Sequence, residues 1–175
     1  MVKAARSKEK GNEFEWLIAR RLSVWMHPTG ENTELIRSVQ SGGWAGRNNP
    51  QVGDLAPNGE YGARFRSVFS VECKHWKEIN WWWVFNAPKH EFMMFWRQTR
   101  EEALEAGLIP LYIVRQNRMP IMVCVPERYM LHSLYPAQDM MMTVHHLQMS
   151  VVPLDAFLTV KPEWYYEYWH PVGGG

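Results

Sequence analysis

The sequence predicts an α/β fold, a three-layer α/β/α sandwich around a mixed central sheet, and three observations carry that reading. Two segments, near residues 8–26 and 88–106, repeat apolar side chains at helical spacing. Short runs rich in Val and Ile stand between and after them and read as strands. A sheet interleaved with helices in this way must bury both of its faces, which places helices on either side. At 175 residues the chain is one domain's worth, and a chain of that size hides roughly 70% of its unfolded surface on folding. Residues 1–175 therefore read as a single domain, with a core over about 8–125 and an aromatic C-terminal extension over 126–175.

Phe14, Leu17, Ile18, Leu22 and Trp25 define the first helix, which stops before His27-Pro28. Its start is marked by Ser7 or by a capping box of Asn12 and Glu15. A short strand is expected over 34–39, then a loop over 40–53 rich in Gly, Asn and Pro. Strands over 52–56 and 66–75 flank Pro57-Asn58-Gly59, which predicts a hairpin. Asn86 and Pro88 open the second helix; Phe92, Phe95, Trp96, Thr99, Ala103 and Ala106 form its apolar face, and Gly107 stops it. Strands over 108–115 and 121–125 follow, joined by a turn at 117–120. A short helix over 127–133 and a strand over 142–149 complete the expected order.

With 46% hydrophobic and 21% charged residues the composition is that of a folded domain, not a disordered chain or a disulfide scaffold. No apolar run approaches the ~20 residues of a membrane span, and the basic start from Met1 to Lys10 lacks the apolar stretch of a signal peptide. A soluble, cytoplasmic protein without a membrane partner is expected. Cys73 and Cys124 lie 51 positions apart with no partner motif, which suits a reducing compartment. His132, His145, His146 and Cys124 have no zinc-ligand spacing. The loop over 40–53 has no Gly-Lys-Ser/Thr, so it does not read as a nucleotide-binding P-loop.

The net charge of +1 argues against a histone-like or polybasic nucleic-acid binder, but it is an average over an uneven chain. Residues 139–175 carry a net −3, which leaves +4 for residues 1–138. Ten Trp, seven Tyr and seven Phe are unusually many aromatic residues. Trp81-Trp82-Trp83 and the segment from Trp164 to Trp169 read as core or subunit contacts, with stacking on splayed bases as the alternative.

The chemistry is carried by Glu72-Cys73-Lys74 at the end of a predicted strand, where period 2 sends Glu72 and Lys74 to one face. An acid-x-lysine triplet is common and proves nothing alone. Asp54 adds weight, because it is one of three Asp in the chain and lies on the neighbouring strand, where cross-strand residues stand ~5 Å apart. Converging carboxylates repel unless a cation lies between them, and oxygen donors suit Mg²⁺ or Mn²⁺. Such an ion beside a lysine polarises a phosphodiester, and a lysine whose pKa is depressed by its surroundings orients or deprotonates the attacking water.

In this order the residues resemble the PD-(D/E)xK nucleases, with Asp54 as the first acid and Glu72-x-Lys74 as the second half of the motif. The resemblance is greater to Holliday-junction resolvases, especially compact phage-type members. It rests on Lys10-Gly11-Asn12-Glu13-Phe14-Glu15, on Arg37-Ser38 with Ser41-Gly42-Gly43, and on Val52-Gly53-Asp54-Leu55, and it spans about residues 8–115. It implies a restriction-endonuclease-like core, Mg²⁺ or Mn²⁺ as cofactor, and Glu15 as the third metal-site acid by its place after Lys-Gly-x-x-Phe, with Glu13 as the fallback. It also implies a homodimer that cuts two symmetric strands. Two departures stand out: Gly53 replaces the Pro before the first acid, and the 18 positions from Asp54 to Glu72 imply an insertion around 58–64.

The expectation is a Mg²⁺-dependent endodeoxyribonuclease, acting on four-way DNA junctions as a homodimer. Asp54, Glu72 and Glu15 are the expected metal ligands, Lys74 the fourth catalytic residue, and Arg37, Ser41, Arg47, Lys77 and Gln98 the expected DNA contacts. The alternatives are another structure-specific, restriction or repair nuclease of this type, and a non-catalytic DNA-binding module with the same fold.

Overall fold

The computed structural model describes residues 2–38, 52–81, 84, 90–130, 139 and 141–170, with side chains described from residue 9 onward. Helix α1 (Val2–Met26) buries Phe14, Ile18 and Leu22 at the expected spacing. It runs through both Ser7 and Asn12, so neither caps it. Strands β1 (Leu35–Arg37) and β2 (Leu55–Pro57) then form an antiparallel pair, with Arg37 opposite Leu55. Helix α2 (Glu60–Arg66) leads into β3 (Phe69–Trp76), and α3 (Glu91–Glu105) into β4 (Ile109–Gln116) and β5 (Ile121–Pro126). The rest comprises α4 (Glu127–Met130), β6 (Met142–Val144), a 3-10 turn (His145–Leu147), β7 (Met149–Pro153), α5 (Leu154–Phe157) and α6 (Pro162–Tyr168).

The main sheet has the order β3-β4-β5-β7-β6. It is mixed as expected: β3 runs parallel to β4, and the other neighbours are antiparallel. Period 2 divides the strands between two cores. Phe69, Val71, Cys73, Ile109, Leu111, Ile113, Val123, Val125 and Val152 join Phe14, Ile18 and Leu22 of α1 on one face. Tyr112, Val114, Cys124, Met149 and Val151 pack with Phe92, Met93 and Trp96 of α3 on the other. Each fully buried large apolar side chain contributes roughly 1.5–3 kcal/mol, so the two cores fix the layers independently.

The hairpin expected around Pro57-Asn58-Gly59 is not formed. β2 pairs with β1, and α2 occupies the space where the turn was expected. Asn58 is held back against the entry to β1, its amide donating to the Glu34 carbonyl at 2.8 Å and its side chain to the Thr33 carbonyl at 2.9 Å. The buried Glu34 carboxylate accepts the Gly62 amide at 2.9 Å in the first turn of α2. A Cβ on Gly62 would lie 1.8 Å from the Glu34 carbonyl oxygen, so only glycine admits this docking. The implied insertion is therefore this helix.

The strand expected over 142–149 also differs. It breaks at the 3-10 turn, where Gln148 takes a left-handed conformation (φ 48°, ψ 42°), and β6 and β7 become antiparallel neighbours. Helix α3 does end as expected, with Gly107 at φ 67° just past its last turn. Its start is capped by His90, whose ring accepts the Phe92 amide at 3.2 Å; Asn86 and Pro88 lie outside the described residues. The aromatic tail belongs to the first core, with Tyr165 and Trp169 fully buried against Phe157 and Phe69. Among the described residues no helix is long and apolar enough to cross a membrane.

Candidate active site

β3 is an edge strand of the sheet, so its outer N–H and C=O groups need partners. The residues just before β2 supply them. The Asp54 amide donates to the Val71 carbonyl at 2.7 Å, and the Cys73 amide donates to Asp54 Oδ2 at 2.8 Å. Asp54 is thereby clamped to the free edge of β3, its own carbonyl accepting the Ser38 amide at 2.7 Å. Gly53 makes this approach possible. It adopts φ 94°, and a Cβ there would lie 2.5 Å from the Val71 carbonyl oxygen. Proline, fixed near φ −65°, has no access to that conformation, so the chain enters Asp54 differently from a Pro-Asp sequence.

On the same strand Glu72 and Lys74 face α3, and Lys74 Nζ lies 2.7 Å from Glu72 Oε1. The ammonium sits 4.6 Å from the centre of the Phe95 ring of α3, which restricts where it can move. Glu102, two turns further along α3, bears electrostatically on Glu72 and accepts the Gln98 side-chain amide at 2.7 Å. From the other layer α1 presents Glu15, buried and ion-paired with Arg37 of β1, while Glu13 is exposed.

Burial pushes the Asp54 carboxyl up to about 6; the Cys73 amide opposes the shift, and the charge of Glu15 adds to it. Burial likewise pushes Glu72 up to about 7, with Asp54 adding to it and Lys74 opposing. Asp54 therefore feels acids from both layers. Lys74 does not have the depressed pKa expected of it: burial, the largest single influence, works in that direction, but the charge and hydrogen bond of Glu72 together with Asp54 and Cys73 outweigh it and the net shift is upward. In this arrangement the side chain is a firmly held ammonium.

Among the described residues no three acidic, histidine or cysteine side chains stand close enough together to hold a metal ion as they are. Arg37 engages Glu15 and Lys74 engages Glu72, so two of the three acids each face a cation. The donor chemistry still fits a hard divalent cation. Asp54, Glu72 and Glu15 offer oxygen only, and a cation would offset both the burial that chiefly raises Asp54 and Glu72 and the carboxylate repulsion that adds to it.

Of the other expected contacts, Arg37 borders the site through Glu15, Gln98 borders it through Glu102, and Lys77 is exposed just past the end of β3. Ser41, Arg47, Trp82 and Trp83 lie outside the described residues. The structure adds one residue that sequence reasoning missed. Arg66 reaches from the end of α2 to the carbonyls of Val52 and Phe69, tying the approach to Asp54 to the start of β3. Its burial lowers its pKa to about 10. Nothing in a local pattern marks an arginine whose two partners lie on separate segments.

A mixed sheet between helical layers, with an aspartate held against the strand that carries an acid-x-lysine pair, is consistent with the PD-(D/E)xK nuclease superfamily. Residues 6–167 match the family described as "Phage putative PDDEXK endonuclease". The chain belongs to that family. No curated protein and no solved structure matches it.

Proposed function

We propose that this nuclease is a Mg²⁺- or Mn²⁺-dependent endodeoxyribonuclease that cuts four-way DNA junctions as a homodimer. The observation that carries the metal-dependent chemistry is the clamp of Asp54 onto the strand bearing Glu72 and Lys74, with Glu15 approaching from α1. Asp54, Glu72 and Glu15 would hold the ion, which when bound polarises the phosphodiester and favours ionisation of the attacking water. Cys73 fixes one Asp54 oxygen through its amide, which leaves the other oxygen for the ion. Lys74, braced by Phe95, holds positive charge where the transition state gathers negative charge. Gln98 and Arg37 flank the site and would contact the DNA backbone, with Lys77 nearby; Ser41 and Arg47 are further proposed backbone contacts. The preference for four-way junctions rests on the resemblance of the Lys10–Glu15, Arg37-Ser38 and Val52–Leu55 segments to resolvases, and a two-fold dimer suits a symmetric junction.

The test uses a labelled four-way junction and a matched linear duplex, with Mg²⁺ and then with EDTA. Junction cleavage that needs the metal and disappears in Glu72→Ala and Lys74→Ala is expected. Cleavage in EDTA, or undiminished in either variant, overturns the mechanism. Equal cutting of the linear duplex overturns the junction preference and leaves the nuclease standing.

A further inference from the structure

Helix α3 has two polar flanks. Gln98 and Glu102 face the catalytic strand, whereas Arg100, between them in sequence and so about 200° around the helix from each, points elsewhere. It reaches a cavity of about 310 Å³ that it shares with Arg128, Glu127, Gln148, Pro110 and Pro126. Arg100 donates to Gln148 Oε1 at 3.1 Å, and its guanidinium carbon lies 5.9 Å from the centre of the Trp96 ring. Arg128 donates to Tyr129 Oη at 3.0 Å and stacks over that ring at 4.8 Å. Both cations are thus held by neutral partners, and among the described residues neither takes part in an ion pair.

The charges around the cavity do not cancel. Glu127, the one lining carboxylate among the described residues, is engaged by the ring of His145. Arg100 has its pKa lowered, chiefly by burial and then by repulsion from Arg128, with Glu101 opposing. Two guanidiniums repelling each other across a concave surface suit an oxyanion with several acceptor oxygens. Gln148 lies at the rim, its left-handed backbone anchored on both sides: its amide donates to His145 at 2.9 Å and its carbonyl accepts the Glu127 amide at 3.0 Å.

We infer that the Arg100–Arg128 cleft is a second phosphate site, which binds a backbone phosphate of the nucleic-acid substrate away from the bond being cut. The inference rests on the nuclease reading above. A helix is about 10 Å across and a DNA strand advances 3.4 Å per base along the duplex axis, so a strand crossing α3 from one flank to the other spans roughly three base steps. The contact reads no sequence and sets where the substrate lies over the site.

The experiment measures binding of a fluorescently labelled four-way junction by anisotropy in EDTA over a series of KCl concentrations. It compares wild type with the double variant Arg100→Gln/Arg128→Gln and with Gln148→Lys, which adds a cation at the rim. The double variant is expected to bind about tenfold more weakly, with a salt slope shallower by about 1, while its single-turnover cutting rate at saturating protein and Mg²⁺ stays within about twofold of wild type. Gln148→Lys is expected to steepen the slope and tighten binding. If wild type binds and cuts the junction but the double variant and Gln148→Lys keep its affinity and slope, the second site is refuted and the nuclease reading stands. If wild type neither binds nor cuts nucleic acid, both are refuted.

Discussion

The Cys73 amide donates a 2.8 Å hydrogen bond to Asp54 Oδ2, and through that one bond the edge strand of the sheet holds the acid placed just before β2. Two features of the backbone permit it: the edge of β3 is free, and Gly53 stands at φ 94°. Gly53→Ala would force a Cβ to within 2.5 Å of the Val71 carbonyl in a conformation that L residues avoid. The strain of such a position is on the order of 1–3 kcal/mol, and the clash adds to it. Urea unfolding should show that loss, and titration with Mn²⁺ should show weaker binding, because relieving the clash moves Asp54 off the strand. A variant with wild-type stability and metal affinity would mean that the approach to Asp54 is not sterically fixed.

The raised pKa values of Asp54 and Glu72 make a statement about stability. A carboxyl pushed up in the folded state holds its proton more tightly folded than unfolded, so folding is penalised once both states are ionised. Below about pH 3, under both unfolded-state values, the penalty is absent; it grows as pH rises and is complete above about 7, the value Glu72 approaches. In EDTA the protein should lose stability across that window, and Asp54→Asn or Glu72→Gln should each regain on the order of 2 kcal/mol at pH 8 and almost nothing at pH 3. Thermal melts of wild type and both variants at the two pH values measure this. A carboxamide variant less stable than wild type at pH 8 would contradict the penalty that burial, with repulsion added, places on these carboxylates.

Arg66 makes the third prediction. Its guanidinium bonds the carbonyls of Val52 and Phe69, one on each of the segments that the site must bring together. Arg66→Ala removes a donor from each carbonyl, leaving Phe69 without that partner and Val52 with only the long 3.5 Å bond from the Ser70 hydroxyl, at a cost of roughly 1–3 kcal/mol. Arg66→Lys keeps the charge but loses the fork that spans both. If Arg66 positions Asp54, both variants should weaken Mn²⁺ binding, the lysine variant less, and binding should fall more than global stability explains. Unchanged metal affinity in a destabilised Arg66→Ala protein would reduce the residue to a structural tie.

What was legible in the sequence and what was not divide along a physical line. Periodicity exposed α1, α3, β3, β4 and β5, because Phe14, Ile18 and Leu22 or Ile109, Leu111 and Ile113 each obey a single local repeat, whereas β7 went unforeseen. The acid-x-lysine pair was legible for the same reason, since period 2 fixes its face. Helix α2 was hidden: Pro57-Asn58-Gly59 has turn chemistry, and only the long-range bonds from Asn58 to Glu34 and Thr33 turn it toward a helix. The Asp54 clamp, the Arg66 tie and the pairing of Glu15 with Arg37 all join segments distant in the chain. No local pattern encodes such contacts. The raised pKa of Lys74 is hidden for the same reason, because it depends on how near Glu72 and Asp54 come.

The aromatic tail yields the last prediction, which separates packing from base stacking. Trp169 is fully buried, its ring 4.8 Å from Tyr165, 5.4 Å from Tyr129 and 6.0 Å from Phe69, centre to centre. Tyr168, one residue earlier, is 39% exposed. A buried tryptophan surrounded by rings is costly to truncate, so Trp169→Ala should lower the unfolding free energy by roughly 3–5 kcal/mol. Tyr168→Ala should change it by less than about 0.5 kcal/mol. Urea unfolding of the two variants measures the contrast. If instead the tail met nucleic acid through Trp169, the truncation would leave stability nearly intact and weaken junction binding by the roughly 1–3 kcal/mol of a lost base stack. The burial of Trp169 between β3, α4 and α6 favours the first outcome.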